Sequence, residues 1–245
     1  MAEIVGIIPA RWASTRLEGK PLALIAGKPM IQHVYERALQ APSLDRVFVA
    51  TDDERILAAV AAFGGKARMT ASEHVSGTDR VAEVAAGLKA DIIVNIQGDE
   101  PLIDPQNIEA AIAPLANDAA IPMGTLCAVI EDERDLRDDS VTKVVVDRKG
   151  FALYFSRYCI PYIREQGEQA VHLQHIGLYV YRRDFLLKFA GLPQTPLEKA
   201  EKLEQLRALE HGYRIIVTQV AKPSMSIDTP EQLEKVKKLL EAGKA

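Results

Sequence analysis

The chain has 245 residues, 48% hydrophobic and 26% charged, with a net charge of -4 and a pI near 5.8. That length suits one α/β domain with a sizeable core, and the composition excludes a disordered chain and a general attraction to nucleic acid. No apolar run reaches the roughly 18 residues of a membrane span, Glu3 stands where a secretory leader would be basic, and Cys127 and Cys159 are too far apart for a disulfide framework or a thiolate zinc site, so a cytoplasmic protein without membrane insertion is expected.

The first expected strand, Ile4–Pro9, runs straight into PARWASTRLEGKPL. Arg11, Arg16 and Lys20 therefore stand on a loop at the carboxyl edge of an α/β sheet, the usual ligand crevice. Three cations there can neutralise a triphosphate, with arginine gripping oxygens in pairs and Lys20 offering a compact charge to leaving pyrophosphate; a solvated basic loop is the plainer alternative. Pro21 follows Gly19 and Lys20 where a P-loop needs Ser or Thr, and GxGxxG is absent, so P-loop kinases and dinucleotide-binding dehydrogenases lose support.

After a strand at Arg46–Thr51, the stretch Met69–Arg80 holds Thr70, His74, Ser76, Gly77, Thr78, Asp79 and Arg80, a donor-rich loop entering a helix and able to read a pyrimidine edge and ribose. The strand Asp91–Gln97 leads into Gly98, Asp99, Glu100 and Pro101, placing hard oxygen ligands of the kind magnesium favours at the same edge. A turn aspartate is the alternative reading of Asp99.

Further strands are expected at Met123–Ile130, Lys143–Asp147, His172–Tyr181 and Arg214–Val220, with hairpins or an arm inserted within 130–173. Tyr179 and Tyr181 alternate with Leu178 and Val180 as sheet packing would. Thr195, Pro196 and Glu198 start a helix whose stripe is Leu197, Ala200, Leu203, Leu206 and Leu209, ended by Gly212. Glu204 and Arg207 lie one turn apart on it, as a surface ion pair would. Thr229, Pro230 and Gln232 start the last helix, with Asp228 before it as a possible cap. The expected fold is α/β: a Rossmann-like mixed, mostly parallel sheet flanked by helices, in one domain over 1–245.

IIPARWASTRLEGKPL, HVSGTDR, VNIQGDEP, ALYFSR, HIGLYVYRR, LEKAEKLEQLR and SIDTPEQLE occur in one order along nearly the whole chain. In these it closely resembles the 3-deoxy-manno-octulosonate cytidylyltransferases, or CMP-KDO synthetases, of the sugar nucleotidyltransferase superfamily. Glu18 departs from the proline of that loop in the family, which bears on the loop's rigidity more than its charge. The resemblance implies CMP transfer from CTP to 3-deoxy-manno-octulosonate (KDO) with loss of pyrophosphate, for lipopolysaccharide synthesis, by a magnesium-dependent homodimer with a dimerisation arm.

It further implies that Asp228 joins Asp99 as a Mg2+ ligand, and that these act with Arg16 and Lys20 in catalysis. Ala10, Arg11, Arg16, Lys20, Thr70, Ser76, Gly77, Arg80 and Gln97 would enclose the nucleotide. An acidic sugar needs cations and donors, which Arg157, His175, Glu204, Gln205 and Arg207 could supply; the resemblance favours Arg157, His175 and Gln205, with Gln97 reaching both substrates. No protein general base is assigned. Another CMP-sugar synthetase, a non-catalytic CTP-binding regulator and a purely structural dimer remain alternatives.

Overall fold

Val5, Ile7 and Ile8 are fully buried in β1 (Ile4–Ala10), the apolar run that opens the chain. A strand covered on both faces needs no polar alternation, which is why it reads as an unbroken hydrophobic segment. The structure is a computed structural model that describes residues 2–13, 17–165 and 170–241. The chain forms two compact units, Met1–Glu109 with Ser224–Ala245, and Ala110–Pro223.

In the first unit, a 3-10 turn at Lys20–Leu22 leads to a hairpin of β2 (Leu24–Ile25) and β3 (Lys28–Pro29). Ala26 and Gly27 turn it at φ 46° and 80°, positive values such as the two central residues of a type I′ turn require. Next come α1 (Met30–Ala38), β4 (Arg46–Thr51), α2 (Glu54–Ala62), β5 (Ala67–Met69), α3 (Gly77–Ala86) and β6 (Ile92–Asn95). β1 pairs in parallel with β4 and β6, and β4 with β5, giving the order β6-β1-β4-β5.

Local signals account for the helices. α1 buries Met30, Ile31, Val34, Tyr35 and Ala38, one stripe at helical spacing. Asp53 caps α2 by accepting from Arg55 N, and Ser76 with Asp79 forms a reciprocal capping box on α3. α4 (Pro105–Asn117) contains the division between the units.

The second unit contains β7 (Met123–Val129), α5 (Glu133–Arg137), β8 (Lys143–Val146), β9 (Ala152–Ser156), β10 (Leu173–Arg182) and α6 (Arg183–Ala190). These are followed by α7 (Pro196–Glu201), α8 (Gln205–Glu210) and β11 (Ile215–Gln219). β7 lies between antiparallel β10 and parallel β11, and β8 pairs antiparallel with both β10 and β9. The sequence missed β2, β3, β5 and β9.

The single helix expected from Thr195 through Leu209 is corrected to two. Lys202 breaks it at φ 54° in the left-handed region. Glu198 and Arg207 then meet across the break, with Nη2 2.5 Å from Oε1 and Nε donating to Oε2 at 2.9 Å. Both side chains are buried, so Arg207 forms an interior ion pair with Glu198 beside the expected pair with Glu204, which is longer at 3.5 Å.

The chain returns to the first unit for α9 (Pro230–Glu241), where Ile227, Leu233 and Val236 pack with Ile25 and Met30 in one buried cluster. Parallel and antiparallel pairings mix, the four strands β6-β1-β4-β5 being all parallel, and helices flank the strands, the mixed α/β architecture expected from the sequence. No helix among the described residues is long and apolar enough to cross a membrane.

Candidate active site

The carboxyl ends of the parallel strands in the first unit border a cavity of about 300 Å³. Pro9, Ala10 and Arg11 continue β1 into it, Gln97, Gly98 and Asp99 follow β6, and His74 to Gly77 and Arg80 come from the entry to α3. Lys20, Pro21 and Asp228 complete the lining. Of the expected nucleotide and metal residues, Ala10, Arg11, Lys20, Ser76, Gly77, Arg80, Gln97, Asp99 and Asp228 are thus brought together. Arg16 lies outside the described residues.

Lys20 Nζ donates to Asp99 Oδ2 at 2.7 Å and to Asp228 Oδ1 at 3.1 Å. Asp228 is held there from both sides in sequence. Ile227, fully buried, donates its N–H to Asp99 O at 2.9 Å, and Gln232 Oε1 accepts from the amides of Asp228 and Thr229 at 2.6 and 3.0 Å. Thr229 Oγ1 in turn accepts from Gln232 N, so Thr229 provides the helix cap and leaves the Asp228 carboxylate facing Lys20.

Gly98 is required by the approach of two backbones, since a Cβ there would come within 2.7 Å of Pro9 O. Glu100, beyond Asp99, is turned inward; burial, followed by the charge of Asp99, pushes its carboxyl up to about 8 against a hydrogen bond with Ser224. Asp99 and Asp228 fit a hard cation as two oxygen donors, because they already share one positive group. No group of three or more His, Cys, Asp or Glu among the described residues forms a fuller cage.

The segment 70–76 is fastened to α3 at two points. The buried Arg80 donates Nη2 to Asp52 Oδ2 at 2.8 Å and Nη1 to Thr70 Oγ1, while Glu83 Oε2 accepts from Ala71 N at 2.9 Å and contacts His74 Nε2. Thr70 therefore supports the cavity through Arg80 and is not itself part of the lining. The sequence missed Asp52 and Glu83. For Asp52 a signal existed, a carboxylate directly after the carboxyl end of a parallel strand.

The remaining sugar candidates belong to the second unit. Arg157 donates Nε to Glu201 O at 2.7 Å and Nη1 to Asp139 O at 2.9 Å. His175 on β10 sits edge-on to Phe155, 5.0 Å between centroids, with Nε2 3.0 Å from Thr125 Oγ1. Burial pushes its imidazole down to about 3, which keeps it neutral. Tyr179 and Tyr181 stack at 6.0 Å in the same aromatic row. Gln205 is 3% exposed, with Nε2 lacking a hydrogen-bond partner among the described residues, and Glu204 precedes it at the start of α8.

The family model described as cytidylyltransferase matches residues 5–215. The 3-deoxy-manno-octulosonate cytidylyltransferase of Syntrophotalea carbinolica is 58% identical over 241 residues, covering 95% of this chain and 96% of its own. That of Solibacter usitatus is 55% identical, covering 98% and 96%. A solved structure of CMP:2-keto-3-deoxy-manno-octonic acid synthetase complexed with CTP superposes with a TM-score of 0.95 at 49% identity, over 99% of this chain and 100% of that one.

Proposed function

Because the chain belongs to the 3-deoxy-manno-octulosonate cytidylyltransferase family, a family of nucleotidyltransferases, we propose that it transfers CMP from CTP to KDO through the cavity beside Lys20. The observation that carries this reading is the contact of one ammonium with both Asp99 and Asp228, in a cavity also lined by Arg11 and the start of α3. That arrangement suits a triphosphate and a cation together.

The anomeric hydroxyl of KDO attacks the α-phosphorus of CTP and gives up its proton to solvent, the bond to the bridging oxygen breaks, and pyrophosphate leaves opposite the nucleophile. Arg11 and Lys20, with Arg16, neutralise charge moving onto pyrophosphate. Asp99 and Asp228 would hold Mg2+, which when bound would align the phosphates and lower the pKa of the sugar hydroxyl. Ala10, Ser76, Gly77 and Gln97 offer groups to base and ribose, and Thr70 holds Arg80 in place beneath them.

Arg157, His175, Glu204 and Gln205, all of the second unit, receive the acidic sugar in this reading. The buried, unpartnered amide of Gln205 supports it, since such a group calls for a hydrogen-bonding ligand. The protein works as a cytoplasmic homodimer supplying lipopolysaccharide synthesis, as one functional domain over 1–245 whose arm within 130–173 makes the dimer contact.

Pyrophosphate release is measured with CTP, Mg2+ and KDO, with each omitted in turn and with Asp99→Ala. Release that needs all three and vanishes in Asp99→Ala is the expected result. Absence of release from folded parent protein that still binds CTP would overturn it.

A further inference from the structure

Trp12 is the single tryptophan of the chain and stands next to Arg11, one of the cavity-lining cations. Three neighbours hold its ring. The Arg55 guanidinium, from the first turn of α2, lies 3.3 Å from the ring centroid. Trp12 Nε1 donates to Glu18 Oε1 at 3.2 Å. Gly19 packs so closely that a Cβ there would come within 2.9 Å of the indole.

The backbone closes on the same point, with Gly19 N donating to Trp12 O at 3.2 Å. Gly19 has φ 65°, a left-handed conformation, and Lys20 follows it immediately in the 3-10 turn. Arg55 is in turn fixed by Asp53, the α2 cap, through Nε to Oδ1 at 2.9 Å and Nη2 to Oδ2 at 2.6 Å. A chain of contacts therefore runs from α2, through the indole, to the residue preceding Lys20. Neither Trp12 nor Arg55 lines the cavity.

We propose that Trp12 and Arg55 are positioning residues for the triphosphate: the guanidinium stacked on the indole sets the path of Leu17 to Lys20 and so the place of the Lys20 ammonium. The inference rests on the reading of Lys20 as a phosphate ligand. The Trp12–Glu18–Arg55 cluster constrains this loop by side-chain contacts. A cation over an indole face is the strongest of the cation–aromatic pairs.

The single indole reports its own surroundings, so steady-state kinetics and tryptophan emission are measured on Arg55→Ala, Trp12→Leu and Trp12→Phe. Arg55→Ala changes an exposed helix position and alters the emission by removing the stacked cation. Its KM for CTP, and that of Trp12→Leu, rises about three- to fivefold, while kcat and the KM for KDO stay within about 1.5-fold. Trp12→Phe keeps an aromatic face for Arg55 and restores most of the CTP affinity. In the parent, CTP titration changes the emission with a midpoint equal to the Kd from equilibrium dialysis.

An Arg55→Ala protein with altered emission and an unchanged KM for CTP overturns the proposal, and it decides the matter even if Trp12→Leu fails to fold. Lys20→Met separates the two levels. If that variant binds CTP normally, the reading of Lys20 fails; if it loses CTP while Arg55→Ala does not, the positioning role alone fails.

Discussion

The ammonium of Lys20 lies 2.7 Å from the carboxylate of Asp99, 79 positions away in the chain, and 3.1 Å from that of Asp228, 208 positions away. One cation thus touches two partly buried carboxylates, and removing it takes away positive charge that both of them face. Lys20→Met is expected to bind divalent cations several-fold more tightly in the absence of nucleotide, while its CTP affinity falls at least about tenfold, or about 1.4 kcal/mol. Calorimetric titration of each ligand checks both. Cation affinity equal to the parent's would show that Lys20 does not compensate the pair.

Gly98 permits the approach of the 97–99 turn to β1, where an added Cβ would meet a backbone oxygen at 2.7 Å. Rotating a side chain cannot relieve that contact, so backbone must shift, and Asp99 is the next residue. Gly98→Ala is expected to lose about 1–3 kcal/mol of stability and at least about tenfold in kcat/KM, because transfer depends on position to within a fraction of an ångström. Denaturant melts and pyrophosphate release measure the two losses; parent-like values in both would rule out the close approach.

Asp52 stabilises a guanidinium that is 4% exposed. Asp52→Ala leaves Arg80 buried with Thr70 and Ala71 O as its hydrogen-bond partners among the described residues and is expected to cost about 3 kcal/mol. The double variant Asp52→Ala/Arg80→Ala is expected to cost less than the sum of the singles, since the second change removes the stranded charge. Urea unfolding of the four proteins gives the coupling directly, and strict additivity would refute it.

Glu198 ties stability to acid pH. Burial by itself would raise its carboxyl, but the Arg207 guanidinium and the Thr195 amide outweigh burial and hold it below the ordinary 4.5. A depressed folded pKa contributes stability that is complete above the unfolded value and is lost as pH falls through the folded one. Glu198→Gln is therefore expected to unfold about 3 kcal/mol more easily near pH 7, with the gap narrowing below about pH 4. A gap constant across that range in pH-dependent melts would contradict the assignment.

Long apolar strands were legible in the sequence because continuous burial leaves a continuous pattern: Arg46–Thr51 was read with its observed limits, and β1 to within one residue. β5 has no buried residue, and β9 carries exposed Leu153 between buried Ala152 and Phe155, so neither leaves a continuous apolar pattern. The break at Lys202 was hidden for a different reason. Leu197, Ala200, Leu203, Leu206 and Leu209 keep helical spacing through it, while the left-handed residue and the Glu198–Arg207 pair belong to the folded backbone.

By itself the sequence determined which loop carries the cations, which turn carries Asp99 and that a donor-rich loop leads into a helix near Arg80, because strand burial and turn chemistry act over a few neighbouring residues. It also carried Trp12 and Glu18 without revealing that they touch. Only the tertiary structure decided that Asp228 faces Lys20 and does not cap α9. Its carboxylate reaches the cavity because Ile227, Leu233 and Val236 bury against Ile25 and Met30, returning the end of the chain to its beginning. Hydrophobic burial is non-directional and reads no sequence distance, so it can join groups that local patterns treat as unrelated.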